Sequence, residues 1–185
     1  MKNKKVYILG IIVFIIIVII TIGIIVSNTI SKKNINENFE IANIINNNSY
    51  LPIQYMSKYN KTDTKFQEYQ KIDNYMSIDF NNNDISFSYY GYPNDQSEKY
   101  LGEISILTNQ YNILGITIGD DIESSITKLQ NYGFKLEKTD ANSLVILNYK
   151  DYTIELETDI TNNSNAVIKT LHLKINSKYL GNLVY

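Results

Sequence analysis

The pattern of apolar and polar positions divides the chain into three regimes. Val6 to Val26 is a 21-residue run without a charge, interrupted only by Tyr7, Gly10, Thr21 and Gly23. As a helix rising 1.5 Å per residue it reaches about 31 Å, against a hydrocarbon core of about 30 Å. The apolar part of a secretory signal is shorter, about 7 to 15 residues. No small-x-small cleavage site follows, since the exit reads Ile25-Val26-Ser27-Asn28-Thr29-Ile30. The run therefore predicts a retained single-pass signal anchor over residues 6–26, with residues 1–5 as a cytoplasmic N-terminus. Lys2, Lys4 and Lys5 precede it and Lys32 and Lys33 follow it, a modest bias that favours the N-terminus inside. The protein is accordingly expected in the cell membrane, with its C-terminal domain extracytoplasmic.

Residues 27–38 are polar and lack a strong period, which predicts a linker. An α+β domain is expected over residues 39–185. Phe39, Ile41, Ile44 and Ile45 fit a short helix or a strand closed by the turn-like Asn46-Asn47-Asn48-Ser49, and the strand is the favoured reading.

A helical period appears next at Asp120, where Ile122, Ile126 and Leu129 recur at i, i+4 and i+7. Asp120 is placed as N-cap with Glu123 at N3, and Gly133 can adopt the left-handed conformation that ends the helix. After Gly133 the period becomes two, over 134–138, 143–149, 152–158 and 167–175, which predicts a four-strand antiparallel meander. Within the last strand Leu171, Leu173 and Ile175 share one face, so His172, the single histidine, faces away from the core.

The first half repeats these apolar phases at a spacing of 67 residues. Tyr55 and Tyr59 fall on Ile122 and Ile126, Tyr69 on Leu136, Ile78 on Val145, Phe80 on Leu147, Asp84 on Asp151, Ile85 on Tyr152 and Phe87 on Ile154. Ile104 and Ile106 then match Leu171 and Leu173. The preserved order predicts a tandem helix-plus-meander repeat, about 50–115 and 116–183. Its two copies would join edge to edge into one twisted antiparallel sheet with helices on one face and the other face open.

Composition narrows the chemistry. All 17 basic residues are lysine, and there is no cysteine. Beyond Lys33 twelve lysines oppose nineteen carboxylates, a net of −7 hidden by the overall −2. A domain of that sign, without arginine, is a poor partner for phosphate backbones, which excludes nucleic acid. No nucleophile elbow, phosphate-binding glycine loop or multi-ligand metal motif is present, so no catalytic residue, metal or cofactor is assigned. The acidic Asp120, Asp121 and Glu123 have structural reasons to start a helix. Glu155 and Glu157, on one face of a predicted strand, are the sole paired carboxylates that suit a hydrolase. Sixteen tyrosines exceed what a core needs, and Tyr89, Tyr90 and Tyr92 are the candidate binding residues, since a ring with a hydroxyl suits interfaces.

The stretch Leu114-Gly115-Ile116-Thr117-Ile118-Gly119-Asp120-Asp121, followed by the amphipathic helix and Tyr132-Gly133-Phe134-Lys135-Leu136, resembles a segment of small extracytoplasmic proteins of low-GC Gram-positive bacteria. Asn46 to Pro52 is similar to the Asn-rich turn and Leu-Pro step before their first repeat. The resemblance spans about Phe39 to Ile175 and implies a lipid or transmembrane anchor, a repeat like the β-lactamase inhibitor protein fold, and no transferable catalytic residues. The expected function is a non-catalytic, membrane-tethered module that binds an envelope protein or peptide. The alternatives are a structural subunit of an envelope assembly and, less favoured, a carboxylate-dependent hydrolase.

Overall fold

In the computed structural model the described residues are 2–74, 77–91, 98–140, 143–159 and 166–175, with side chains described for all of these except 2–13, 28, 30–36 and 140. The backbone forms a helix α1 (Lys2–Asn47), strands β1 (Gln70–Asp73), β2 (Ser77–Asn81), β3 (Ile85–Gly91) and β4 (Lys99–Ile106), helix α2 (Ile122–Asn131), and strands β5 (Lys135–Asp140), β6 (Leu144–Tyr149), β7 (Tyr152–Asp159) and β8 (Val167–Ile175). The chain divides into two compact units, Met1–Glu37 and Asn38–Tyr185. In the first, the apolar side chains Phe14 to Val26 on α1 are exposed. Among the described residues no helix is long and apolar enough to cross a membrane, and residues 6–13 of the run expected to do so have side chains outside that set.

The backbone of residues 27–38, the segment expected as a linker, is helical and part of α1. One expectation before Tyr50 is corrected: the favoured strand at Phe39–Ile45 is the last turns of the same helix. Asn38, Ile41, Ala42 and Ile45 are buried while Phe39 and Ile44 are exposed, which is the i, i+3, i+4, i+7 stripe of a helix rather than an alternation. The helix ends where the Asn48 side chain donates to the Ile44 carbonyl at 2.8 Å, satisfying one of the last free acceptors.

The eight strands form one antiparallel sheet in the order β1-β2-β3-β4-β8-β7-β6-β5. Two four-strand meanders thus meet through the antiparallel pair β4·β8, Ile104 opposite Leu173. Phe80 faces Phe87 in β2·β3 and Leu147 faces Ile154 in β6·β7, each position 67 residues from its counterpart. The outer strand differs: Phe87 pairs with Ile104 but Ile154 pairs with Leu173, so β4 and β8 correspond at 69. Ile104 and Ile106 therefore match Leu173 and Ile175 rather than Leu171 and Leu173. A β-bulge in each of β3·β4 and β7·β8 lets the chain change register while keeping the same residues on the core face.

One face of the sheet carries the core. Ile78, Phe80, Ile85, Phe87, Leu101 and Ile104 from one meander, and Val145, Leu147, Tyr152, Ile154, Leu156, Leu171 and Leu173 from the other, are all buried. Two tyrosines reach across it with their hydroxyls satisfied, as buried phenols must be. Tyr55 donates to the Gly102 carbonyl at 2.8 Å and Tyr152 to the Asn38 carbonyl at 2.6 Å, their rings 5.9 Å apart.

Helix α2 forms as the sequence predicts, one residue later. Its N-cap is Asp121, whose carboxylate accepts from Ser124 N at 2.9 Å, while Asp120 accepts from Thr117 N at 3.0 Å within the preceding turn. Glu123 therefore sits at N2, and the reciprocal box expected from Asp120 and Glu123 does not form. Leu129 is fully buried, and Ile122 and Ile126 pack half-buried against the core. The helix closes with Gly133 at φ +96, Gly133 N donating to Gln130 O and Phe134 N to Leu129 O. This paired closure requires the left-handed residue that glycine supplies, and it sets Phe134 against Leu129. Upstream, Gly119 at φ +93 turns the chain so that Gly119 N donates to Ile168 O and Ile168 N to Asp120 O, docking the helix start on β8.

The first half has no matching α-helix. Residues 51–69, which hold Tyr55 and Tyr59, run as turns with a 3₁₀ turn at Thr64–Phe66. Tyr55 N and O bond the Asn46 side chain at 2.7 and 3.1 Å, and Met56 N donates to Leu101 O. Tyr55 is thereby fixed as a core residue pinned by its backbone, not as one side of an amphipathic helix.

Candidate functional site

The face of the sheet opposite the core follows from the alternation of the strands. Ser86, Ser88 and Tyr90 of β3, Glu103 and Ser105 of β4, His172 and Lys174 of β8, and Thr153 and Glu155 of β7 all point there, in antiphase to the buried residues. They are half-buried apart from Ser105, which is 9% exposed.

Register arranges these side chains in rows across the two meanders. One row runs Ser86, Ser105, His172, Glu155, and the next Ser88, Glu103, Lys174, Thr153. At the seam His172 Nδ1 lies 2.6 Å from Ser105 Oγ. Glu155, cross-strand neighbour of His172, is ion-paired with Lys174. Lys174 in turn stands opposite Glu103, whose Oε2 accepts from the Tyr90 hydroxyl at 2.8 Å. Three bonded pairs thus stand side by side across the seam, Tyr90–Glu103, Ser105–His172 and Lys174–Glu155, in adjacent register rows. Partial burial, with the Glu103 carboxylate beside it, pushes the Tyr90 phenol up to about 12, so at neutral pH it is a fixed donor.

The three candidate binding tyrosines separate. Tyr90 lies on the open face as expected. Tyr89 is corrected: it is on the core face, 1% exposed, with Tyr59, Phe66 and Phe80 around its ring. Period-two alternation forces this, because Tyr89 shares the phase of Ile85 and Phe87, and its phenol is raised to about 12 by burial. Tyr92 lies outside the described residues. His172 faces away from the core as its strand phase predicts.

Glu155 and Glu157 do share the open face, but they are not an acid and base poised over one cleft. Glu155 is engaged by Lys174, and Glu157 is exposed opposite Thr170. Among the described residues no three of His, Cys, Asp and Glu converge as metal ligands. Asp120 and Asp121 are each committed to a backbone N–H. The face presents donors, acceptors and both signs of charge at positions held by the ladder.

Glu103, Ser105 and Lys174 are the residues of this face that sequence reasoning did not single out. Ser105 becomes part of the face only because β4 pairs with β8, a register that no local pattern in the chain specifies.

No family model matches the chain, and no curated protein matches it. Among solved structures it aligns with an extracellular protein containing a SCP domain from Bacillus anthracis str. Ames, at 9% identity and a TM-score of 0.41. The alignment covers 60% of this chain and 39% of that one, so the chain spans well under half of that structure's length.

Proposed function

We propose that this is a membrane-tethered, extracytoplasmic protein-binding module, non-catalytic, whose partner docks on the open face of the sheet around Tyr90, Glu103, His172 and Lys174. One observation carries the reading: the core consumes one face of an eight-stranded sheet, while the other presents polar side chains of both meanders in adjacent rows, with the bonded pairs Tyr90–Glu103, Ser105–His172 and Glu155–Lys174 at the seam. Tyr90 is of a residue type enriched where proteins meet, and the charges and hydroxyls around it suit a polar partner surface of complementary charge. Tethering rests on the uncharged run Val6–Val26, which falls within the unbroken helix α1 and whose side chains from Phe14 onward are exposed. The modest lysine bias favours the sheet domain outside, and the resemblance of Leu114–Asp121 to extracytoplasmic proteins supports the same orientation. The parallel order of the two meanders, with equal spacing in their inner strand pairs, supports descent from a tandem repeat.

The test is site-specific photocrosslinking in intact cells from Ser88 or Thr153 on the open face, with Glu123 on α2 as the control position. A discrete adduct from the sheet positions only, lost when Glu103→Lys is introduced without change in melting temperature, is the expected result. Equal labelling from Glu123, or no adduct with a folded domain, rejects the docking face.

A further inference from the structure

The two halves of the sheet are closed differently, and the difference leaves space. In the second half α2 covers the meander and buries Leu129 completely. In the first half residues 51–69 lie where a helix would, and cavities of about 320, 400 and 460 Å³ surround the 3₁₀ turn Thr64–Phe66. These fall at the small end of the range of ligand sites. The first is lined by the rings of Tyr59, Phe66 and Phe80. Phe66 stacks on Phe80 with centroids 4.2 Å apart, and Tyr59 lies 5.8 Å from Phe80, so the rings brace one another into a firm apolar floor.

Polar groups ring that floor. Lys61, Asp63 and Gln67 line the same cavity, and Lys71 lies with its ammonium 5.9 Å from the Tyr59 ring. Asp63 spends one carboxylate oxygen on Lys65 N, leaving the other able to accept. Lys71 is ion-paired with Asp73, and Lys58 nearby with Glu98. Among the described residues Lys61 makes no ion pair. With their partners Asp73 and Glu98 counted, the four lysines of residues 58–71 stand against four carboxylates, a locally neutral patch inside a domain of net −7. The cleft thus sets the Lys61 ammonium beside an aromatic floor, on an otherwise acidic domain, with Asp63 and Gln67 as hydrogen-bonding walls.

We infer that this cleft binds a saccharide ring carrying an anionic group. The C–H face of the ring packs on Tyr59 and Phe66, ring hydroxyls bond Asp63 and Gln67, and the anion sits against Lys61 with Lys71 behind it. A simple anion would not use the aromatic floor and would be repelled by Asp63; a neutral sugar would leave Lys61 unused. This site is separate from the open face, which lies on the other side of the sheet from Phe80.

The full chain, in detergent solution, is titrated with tetragalacturonate and with glucose phosphate, which separate carboxylate from phosphate as the anion, and with cellotetraose and tripolyphosphate as ring-only and anion-only probes. Saturable binding of at least one anionic sugar is expected, with roughly tenfold weaker binding of cellotetraose and of tripolyphosphate. Lys61→Glu should weaken the sugar by at least roughly tenfold at unchanged melting temperature, and Phe66→Leu should weaken it with the fold intact. Glu103→Lys on the open face should leave it unchanged, which separates failure here from failure of the docking face. Absence of saturable binding by both anionic sugars, equal binding of tripolyphosphate, or undiminished binding by Lys61→Glu overturns the inference.

Discussion

Replacing Leu129 should destabilise the domain more than any change at the start of the same helix. Leu129 is the fully buried core residue of α2, and its carbonyl accepts from Phe134 N where the helix closes. Leu129→Ala removes three carbons, about 2.4 kcal/mol at about 0.8 kcal/mol per buried methylene. The cavity left behind brings the total into the range of about 2 to 5 kcal/mol. Asp121→Ala removes one cap hydrogen bond, to Ser124 N, on the half-exposed end of the helix, and should cost about 0.5 to 2 kcal/mol. Ile126→Ala should cost less than Leu129→Ala and about as much as loss of the cap, because Ile126 is half-buried and about half of the transfer term is at stake, about 1 to 1.5 kcal/mol. Urea unfolding of residues 34–185 followed by circular dichroism measures all three, provided the denaturant slope is unchanged. If Asp121→Ala costs as much as Leu129→Ala, the claim that packing rather than capping holds this helix is wrong.

Four further outcomes follow from the same structure. Tyr152→Phe should cost about 0.5 to 1.5 kcal/mol by removing the phenol's hydrogen bond to the Asn38 carbonyl, visible as a lowered melting temperature with little change in fold. Tyr69, Tyr89 and Tyr90 ionise at about 12 in the folded state, raised chiefly by burial from 10.0. Between those pH values the unfolded chain gives up these protons first, so stability that is complete below pH 10 should fall as pH rises towards 12, and tyrosinate absorbance should lag that of the urea-unfolded chain. Calcium should not raise the melting temperature of the domain, since Asp120 and Asp121 already accept backbone donors; a rise lost in Asp120→Ala would make the helix start a cation site. Gln130→Cys, exposed on α2 in a chain with no cysteine of its own, should react with a membrane-impermeant thiol reagent in intact cells, and labelling only after lysis would reverse the proposed orientation.

Local pattern alone determined much of the second half. Its strands, the helix between Asp121 and Gly133, and the outward direction of His172 all follow from periods of two and 3.6 and from one glycine that tolerates positive φ, because each of these signals is carried by residues near one another in the chain. The inner strand pairs of both halves were likewise legible, since a hairpin fixes its own register and the 67-residue spacing survives in Phe80 with Phe87 and Leu147 with Ile154. Tertiary structure decided the rest. Phe39 to Ile45 suits a helix or a strand equally well until Asn38 and Ile45 meet the core, and only burial chooses between the two periods. Tyr55 and Tyr59 carry the spacing of a helix face, yet Asn46 captures the Tyr55 backbone and the segment never forms that helix. The open face is the furthest from sequence: Ser105 and His172 become partners only because β4 pairs with β8 in one register, a long-range choice made by the fit of Ile104 against Leu173 on the opposite side of the sheet.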